Sequence, residues 1–205
     1  MERVRLYGKS GAPTRSGRGL FAESLMARLP LLPVEDEGRL QDARLRENFI
    51  ERVFAYRRLR DFFVRPWRRG DLVRFHTGEK FLLLAHDAAA HEKLGRLVAG
   101  AKGTPRAELE RRYVEVYMTA LAKIATPRRH TNVLQHMAGY FKDRLGNEDR
   151  KELAGIIEDY RRGLVPLVVP LTLLRHYVRL HKVSYLEGQV YLDPHPKELM
   201  LRNHV

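Results

Sequence analysis

The sequence predicts a mainly α protein: a helical bundle-like domain preceded by a short irregular N-terminal segment with one or two short strands. Three observations lead to this prediction. Apolar residues recur at helical spacing through most of the chain after residue 42. Proline and glycine fall between these periodic stretches, where helices begin or end. Hydrophobic residues make up 44% of the 205 residues, which is enough for a sizeable core.

The elements before residue 42 are the weaker ones. Residues 4–7 alternate in the manner of a short strand. Residues 17–29 have the pattern of a short helix, which Pro30 would stop. Residues 31–35 are expected to be extended, because proline restricts the conformation of the residue before it.

The longest predicted helix begins after Asp42, which can act as its N-cap, and runs to about Phe63. Its apolar positions keep helical spacing and are predicted to be buried: Leu45, Phe49, Val53, Tyr56 and Phe63. Its charged positions are predicted to form the outer face: Arg44, Glu47, Glu51 and Arg58.

Proline and glycine bracket a basic turn at residues 65–70, which is the best candidate for a domain boundary. We therefore divide the chain into residues 1–65 and an all-helical domain at 66–205. Further helices are expected at about 71–100 with a break near Asp87, and at 104–124, 127–145, 148–162 and 170–182. Gly163 fits as the C-cap of the helix before it.

Composition excludes several classes of protein. Cysteine is absent, so disulfides, thiolate metal sites and cysteine nucleophiles are excluded. No apolar run reaches the 18 residues of a membrane-spanning helix, and the N-terminus lacks an apolar signal segment. We expect a cytoplasmic protein without a cofactor or a membrane partner.

The net charge is strongly positive. Lysine and arginine number 38 against 25 aspartate and glutamate, a formal charge of +13. Such an excess attracts polyanions, and the planar fork of arginine suits phosphate. Nucleic acid is therefore the expected partner, and an arginine-rich solvated surface is the alternative.

Two groups of basic residues are candidates for phosphate contacts. Arg128, Arg129 and His130 lie where a predicted helix begins, and exposed N–H groups at such an end bind anions. A solvated basic cap would explain them equally well. Arg175, Arg179 and Lys182 follow at i, i+4 and i+7 and would form one basic stripe opposite an apolar one. Such a helix can contact nucleic acid, a membrane surface or an acidic partner, or can simply be solvated.

A metal site is the other candidate. If residues 71–86 form one helix, His76, Glu79 and His86 share a face of it. Imidazole and carboxylate groups at this spacing could ligate a metal ion. A partly buried polar seam is the alternative.

The chain resembles the YbgA family, a bacterial domain of unknown function, over roughly residues 70–205. The residues that carry the resemblance include His130-Thr131-Asn132-Val133-Leu134, Gly139-Tyr140-Phe141-Lys142, Tyr160-Arg161-Arg162-Gly163-Leu164-Val165-Pro166-Leu167, Gln189-Val190-Tyr191-Leu192 and Pro194-His195-Pro196-Lys197-Glu198-Leu199. Phe75-His76-Thr77 and Leu84-Ala85-His86 are also similar. The resemblance implies a family and no reaction.

Residues before about 60 resemble the C-terminal tail of the TudS-like thiouracil desulfidases. The stretches that carry this resemblance are Val4-Arg5-Leu6-Tyr7, Gly17-Arg18-Gly19-Leu20-Phe21-Ala22, Leu31-Leu32-Pro33-Val34-Glu35 and Leu45-Arg46-Glu47-Asn48-Phe49. That family holds an iron–sulfur cluster through cysteines that this chain lacks. The resemblance therefore implies a truncated fusion, a remnant of the enzyme followed by an accessory domain.

We therefore expect a non-catalytic accessory domain that binds nucleic acid, with RNA or tRNA favoured, for a partner or fused desulfidase. One alternative is an enzyme, with the metal site above or as a desulfidase half that needs a cluster-bearing partner. Another is an interaction or oligomerisation module that docks through residues 163–170, where Gly163, Pro166 and Pro170 punctuate the chain.

Overall fold

In a computed structural model of the protein, the backbone is described for residues 4–7, 13–17 and 19–203, and side chains from residue 19 onward. Part of the predicted irregular N-terminal segment, at residues 1–3, 8–12 and 18, lies outside the described residues. The backbone of residues 4–7 and 13–17 forms two short antiparallel strands, β1 (Val4–Tyr7) and β2 (Pro13–Gly17). The prediction of a mainly α protein is confirmed.

Helices make up the rest of the described fold. In chain order they are α1 (Leu20–Arg28), α2 (Ala43–Val64), α3 (Arg69–His86), α4 (Ala88–Ala99), α5 (Arg106–Leu121), α6 (Pro127–Ala138), α7 (Asn147–Arg161), α8 (Val168–Leu180) and α9 (Ser184–Glu187). Short 3-10 turns follow α4 and α6, and two more lie near the C-terminus at Lys197–Leu199 and Leu201–Asn203. None of the helices in the described part combines the length and apolarity that crossing a bilayer requires.

Most helix ends lie where local chemistry places them. The Asp42 side chain accepts hydrogen bonds from the backbone N–H groups of Arg44 and Leu45, which caps α2 as predicted. Asp87 caps α4 in the same way and separates it from α3. Gly163 follows α7 with a φ of +74°, a left-handed conformation that glycine adopts without steric cost.

Helices α6 and α8 end earlier than predicted. The pattern indicated a helix as far as residue 145, but α6 ends at Ala138 and the chain continues as a 3-10 turn, Gly139–Phe141. The predicted helix to residue 182 ends at Leu180, and Lys182 has a φ of +49°. A residue in this conformation cannot continue a right-handed helix.

Helix α3 lies at the centre and packs against α4, α5 and α6. Its apolar residues Phe81, Leu82 and Leu83 are buried together with Tyr113 and Tyr117 of α5. The core also includes Ala55 and Leu59 of α2, so residues on both sides of the predicted boundary at residue 65 contribute to it. The division into two domains stays a prediction.

Gly78 lets the C-terminal segment approach α3. Its carbonyl accepts a hydrogen bond from the Val190 backbone N–H at 3.0 Å. A Cβ atom at Gly78 would lie 3.1 Å from the backbone oxygen of Gly188, which is tighter than most Cβ contacts in proteins. The side chain of Gln189 adds a hydrogen bond to the Thr77 carbonyl at 3.0 Å. The segment after α9 is therefore held against the middle of the fold.

The face of α2 that points inward differs from the prediction. Glu47 and Glu51 were placed on the outer face but are buried, and Val53 was placed inward but is exposed. The buried row runs at spacing four through Glu47, Glu51, Ala55 and Leu59. It is buried because a cation from the far end of the chain meets its two carboxylates.

Candidate functional site

Ionisable and polar side chains meet in the interior where α2, α3, α6 and the C-terminal segment come together. We call them the polar cluster: Glu47, Glu51, His86, His130, Tyr191 and Arg202. Each is less than 7% exposed. Burial of this much charge is costly unless the groups pair with one another.

Arg202 holds the polar cluster together. Its Nε donates to Glu47 Oε1 at 3.2 Å, and its Nη2 donates to Glu51 Oε2 at 3.1 Å. Its Nη1 donates to the Tyr191 carbonyl at 2.6 Å, and the guanidinium carbon lies 4.9 Å from the centre of that tyrosine ring. The fork geometry of arginine therefore ties the turn at Leu201–Asn203 to α2.

His86 and Glu51 share one proton. The His86 Nδ1 lies 2.6 Å from the carbonyl oxygen of Lys123, and a carbonyl only accepts, so Nδ1 carries hydrogen. The other ring nitrogen, Nε2, lies 2.5 Å from Glu51 Oε1, so one further proton must lie between these two atoms. Although burial pushes it upward, His86 and Arg202 hold the pKa of Glu51 below its ordinary value. This favours a carboxylate at Glu51.

The pKa values of Glu47 and Glu51 shift in opposite directions. Burial and the neighbouring Glu51 charge raise the pKa of Glu47 to about 7. Burial and the charge of Arg202 lower the pKa of His130 to about 3, so His130 is neutral, with Nδ1 2.8 Å from the Tyr191 hydroxyl. Glu47 can therefore take up and release a proton near neutral pH, where an ordinary glutamate is ionised.

Space beside the polar cluster is small. A cavity of about 10 Å³, room for roughly one water molecule, is lined by Arg44, Glu47, Asn48, Glu51, His86, Ile124, Ala125 and His130. The buried hydroxyl of Tyr160 has no hydrogen-bond partner among the described residues, and burial and the Glu47 charge raise its pKa. The arrangement can hold and exchange a proton, but its cavity does not accommodate a substrate of ordinary size.

A second feature lies on the surface. The rings of Tyr140 and Tyr185 stack at 5.1 Å with an angle of 10° between their planes. The ammonium group of Lys80 lies 5.7 Å from the centre of the Tyr185 ring. We call this surface the tyrosine face and define it by Lys80, Tyr140, Lys142, Arg144, Lys182 and Tyr185.

One hydrogen bond joins two parts of the tyrosine face. Arg144 donates from Nη1 to the backbone oxygen of His181 at 3.0 Å, which brings the segment after α6 against the end of α8. Lys142 and Lys182 are exposed at these two places. The face therefore combines an aromatic pair with several cations.

The structure does not bring His76 and Glu79 together as a metal site. His76 Nδ1 lies 3.2 Å from the Tyr113 hydroxyl. Glu79 receives two hydrogen bonds from Arg58, at 2.8 and 3.2 Å, and one from the Tyr117 hydroxyl at 2.8 Å. Both side chains therefore have separate protein partners.

The third predicted ligand, His86, belongs to the polar cluster and pairs with Glu51. In the described part of the chain, no three histidine, aspartate or glutamate side chains are placed so that they could hold a metal ion. The polar seam, the alternative interpretation of this helix face, matches the observed contacts of His76, Glu79 and His86.

The predicted basic cap at the start of α6 is divided. Arg128 is exposed. Arg129 donates from Nη1 to the backbone oxygen of His86 at 2.7 Å, and His130 points inward to Tyr191. Arg128 and Arg129 are therefore exposed, the latter with one hydrogen bond to the backbone, and His130 is buried.

The predicted stripe on α8 is divided as well. Arg175 turns toward the C-terminal segment, where its Nε lies 3.1 Å from the Leu192 oxygen and 3.4 Å from Asp193 Oδ1. Arg179 is exposed on α8, and Lys182 is exposed just beyond its end. The segment 163–170, predicted as an alternative docking surface, comprises most of the connection between α7 and α8 and the first three residues of α8.

Sequence reasoning missed Glu47, Glu51 and Arg202. A signal was present in α2, because two glutamates at spacing four repel each other on an exposed helix face. The same spacing continues through Ala55 and Leu59, which are core residues. The row could therefore have been recognised as inward-facing, although its cation could not.

A helical protein with a buried ionic centre is thus defined, and comparison with known proteins places it in a family. Residues 80–196 match the model of the family described as "Protein of unknown function (DUF1722)", and the chain belongs to this family. It is 34% identical over 161 residues to "Uncharacterized protein YbgA" of Escherichia coli strain K12, covering 78% of this chain and 95% of that protein. No solved structure matches significantly.

The predicted resemblance to the YbgA family is confirmed by this match. The resemblance of the N-terminal residues to a desulfidase tail stays a prediction. His86, His130 and Tyr191, which carried the resemblance to the YbgA family, all lie in the polar cluster.

Proposed function

We propose that this chain is an accessory domain that binds RNA through the tyrosine face. The observation that carries the proposal is the set of unpaired cations there. Among the described residues, no carboxylate forms an ion pair with Lys80, Lys142, Arg144 or Lys182, although Asp143 lies between two of them. Exposed cations without counter-charges are available to phosphates.

Three exposed arginines elsewhere on the surface provide a contrast, because each pairs with a glutamate. Arg96 pairs with Glu92 at 2.8 Å, Arg112 lies 3.5 Å from Glu108, and Arg161 pairs with Glu158. These pairs are typical of solvated helix faces. The formal charge of +13 adds a general attraction for polyanions, which also draws RNA toward the molecule.

The test is the salt dependence of binding to a fluorescent single-stranded RNA, followed by polarisation. If Lys142, Arg144 and Lys182 each contact one phosphate, affinity should fall roughly 20-fold between about 50 and 200 mM salt. The triple variant Lys142→Gln, Arg144→Gln, Lys182→Gln should lose most of this salt dependence. Absence of RNA binding by the unaltered chain at low salt would refute the proposal.

A control variant with the same loss of charge distinguishes binding at the tyrosine face from a general attraction by the net positive charge. The variant Arg96→Gln, Arg112→Gln, Arg161→Gln removes three cations that are paired with glutamates. It should keep an affinity close to that of the unaltered chain. An equal loss in both triple variants would mean that net charge alone attracts RNA.

A second candidate function is docking to a desulfidase-like domain through α1. None of the nine residues of α1 is buried, and Leu20 and Phe21 are 87% and 81% exposed. Adjacent large apolar side chains left in water favour an interaction surface. The occupant we propose is the desulfidase domain, because the stretch containing these two residues resembles part of that family.

For this candidate we expect a purified TudS-like desulfidase domain to bind the chain in calorimetry. Leu20→Ser with Phe21→Ser should weaken binding at least tenfold, because it removes the apolar contact. Glu23→Ser, in the first turn of α1, is the control and should have little effect. Concentration-dependent self-association that the double variant abolishes would identify a second copy as the occupant and exclude the desulfidase domain.

A further inference from the structure

Tyr140 is an aromatic side chain that is anchored on one side and open to solvent on another. Its ring stacks on Tyr185 and meets the edge of Phe81 at 6.4 Å between ring centres. Phe81 is buried in the core, whereas Tyr140 remains 38% exposed. The ring is therefore held in a fixed orientation, which lowers the entropy that a binding partner must remove.

The backbone just before this ring is open to solvent. A side chain added at the neighbouring Gly139 would meet no atom within 4 Å. The Tyr140 hydroxyl lies near Tyr185 and Lys80, and burial raises its pKa. The exposed part of the Tyr140 ring can therefore contact another planar group.

Two cations lie close to the aromatic pair in sequence, and a third lies close to it in space. Lys142 follows Tyr140 by two residues, Lys182 precedes Tyr185 by three, and Lys80 lies over the Tyr185 ring. A planar apolar surface bordered by cations matches a nucleotide, which presents a flat base and a phosphate. In duplex RNA the bases stack on one another, so only an unpaired base could reach the ring.

We propose that Tyr140 is a stacking platform for an unpaired base of single-stranded RNA. The inference rests on the proposed function, because the cations of the tyrosine face hold the phosphates of the same strand. Stacking of one base on an aromatic ring contributes a factor of at least about five in affinity. The affinity for single-stranded RNA should therefore depend on both the Tyr140 ring and the cations, whereas the affinity for duplex RNA should depend only on the cations.

The test compares Tyr140→Leu and Tyr140→Phe in binding a single-stranded RNA and a duplex of the same length. Leucine keeps an apolar contact with Tyr185 and Phe81 but cannot stack on a base. Tyr140→Leu should bind the single strand at least about fivefold more weakly and the duplex unchanged. Tyr140→Phe should bind both as the unaltered chain does.

A strand containing 2-aminopurine gives an independent signal, because stacking quenches its fluorescence. Quenching should occur with the unaltered chain and with Tyr140→Phe, and should be lost with Tyr140→Leu. Unchanged single-strand affinity of Tyr140→Leu, or an equal loss for both RNAs, would overturn the stacking inference and leave RNA binding intact. Failure of the unaltered chain to bind either RNA would overturn the proposed function as well.

Discussion

Replacing Arg202 with methionine should lower the free energy of unfolding by about 3 to 5 kcal/mol, the usual cost of removing one partner from a buried ion pair. Methionine fills much of the volume but leaves Glu47 and Glu51 facing each other without the guanidinium. It also leaves the buried Tyr191 carbonyl without the donor that now lies 2.6 Å away. Urea unfolding followed by circular dichroism at neutral pH measures the loss.

Two comparisons make this expectation specific. Arg179→Met removes an exposed arginine of α8 and should change stability by less than about 0.5 kcal/mol. Arg202→Lys keeps the charge but should recover less than half of the loss, because an ammonium group cannot reproduce the fork that spans Glu47 and Glu51. A loss below about 1 kcal/mol for Arg202→Met would contradict the view that this residue holds the polar cluster together.

Replacing Glu47 with glutamine should make the protein more stable than the unaltered chain above pH 7, by up to about 3 kcal/mol. The pKa of Glu47 rises from 4.5 to about 7 in the folded state. Between these values the folded protein keeps a proton that the unfolded chain has lost, so stability falls as the pH rises through this window. Glutamine keeps the shape and cannot titrate, so this fall should disappear.

Other groups of the polar cluster titrate with the opposite sign. His130 has a lowered pKa, so the stability that it contributes is present above about pH 6.5 and is lost as the pH falls toward 3. Glu51, whose pKa is also lowered, loses its contribution as the pH falls below its ordinary value. His86, Arg202 and Glu51 are present in both the unaltered chain and the Glu47→Gln variant, so the difference between their stability profiles reports on Glu47.

Urea unfolding of both proteins at several values between about pH 5 and 8.5 gives the two profiles. Glu92→Gln, in an exposed ion pair of α4, is the matched control and should run parallel to the unaltered chain. Parallel profiles for Glu47→Gln and the unaltered chain would mean that Glu47 titrates normally in the folded state.

Much of the secondary structure could be predicted from interactions between residues that are close in sequence. Asp42 and Asp87 offer side-chain oxygens to free N–H groups, and Pro127 fits the first turn of α6, so these boundaries follow from a few neighbouring residues. The end of α6 at Ala138 did not follow in this way. The sequence pattern would allow the helix to continue there. Phe141 and Tyr140 instead pack against aromatic residues of distant helices, and this packing favours a 3-10 turn.

The polar cluster could not be predicted for a different reason. The rule that charged residues face water holds until a distant charge compensates them. Nothing within α2 indicates that Arg202 will lie beside Glu47 and Glu51. His130 shows the same limit, since its position at the start of a helix suggested a phosphate site while Tyr191 holds it inside.

The bond between Arg202 and α2 has a consequence for the order in which the protein can be completed during translation. Glu47 and Glu51 precede their guanidinium by 155 and 151 residues. At about 5 to 20 residues per second, the ribosome produces the arginine roughly 8 to 30 s after the glutamates. Until then Glu47 lacks the guanidinium and Glu51 has only His86 as a partner, so we expect α2 to take its final place after most of the helices have been made. The polar cluster is therefore completed only after residue 202 has been synthesised.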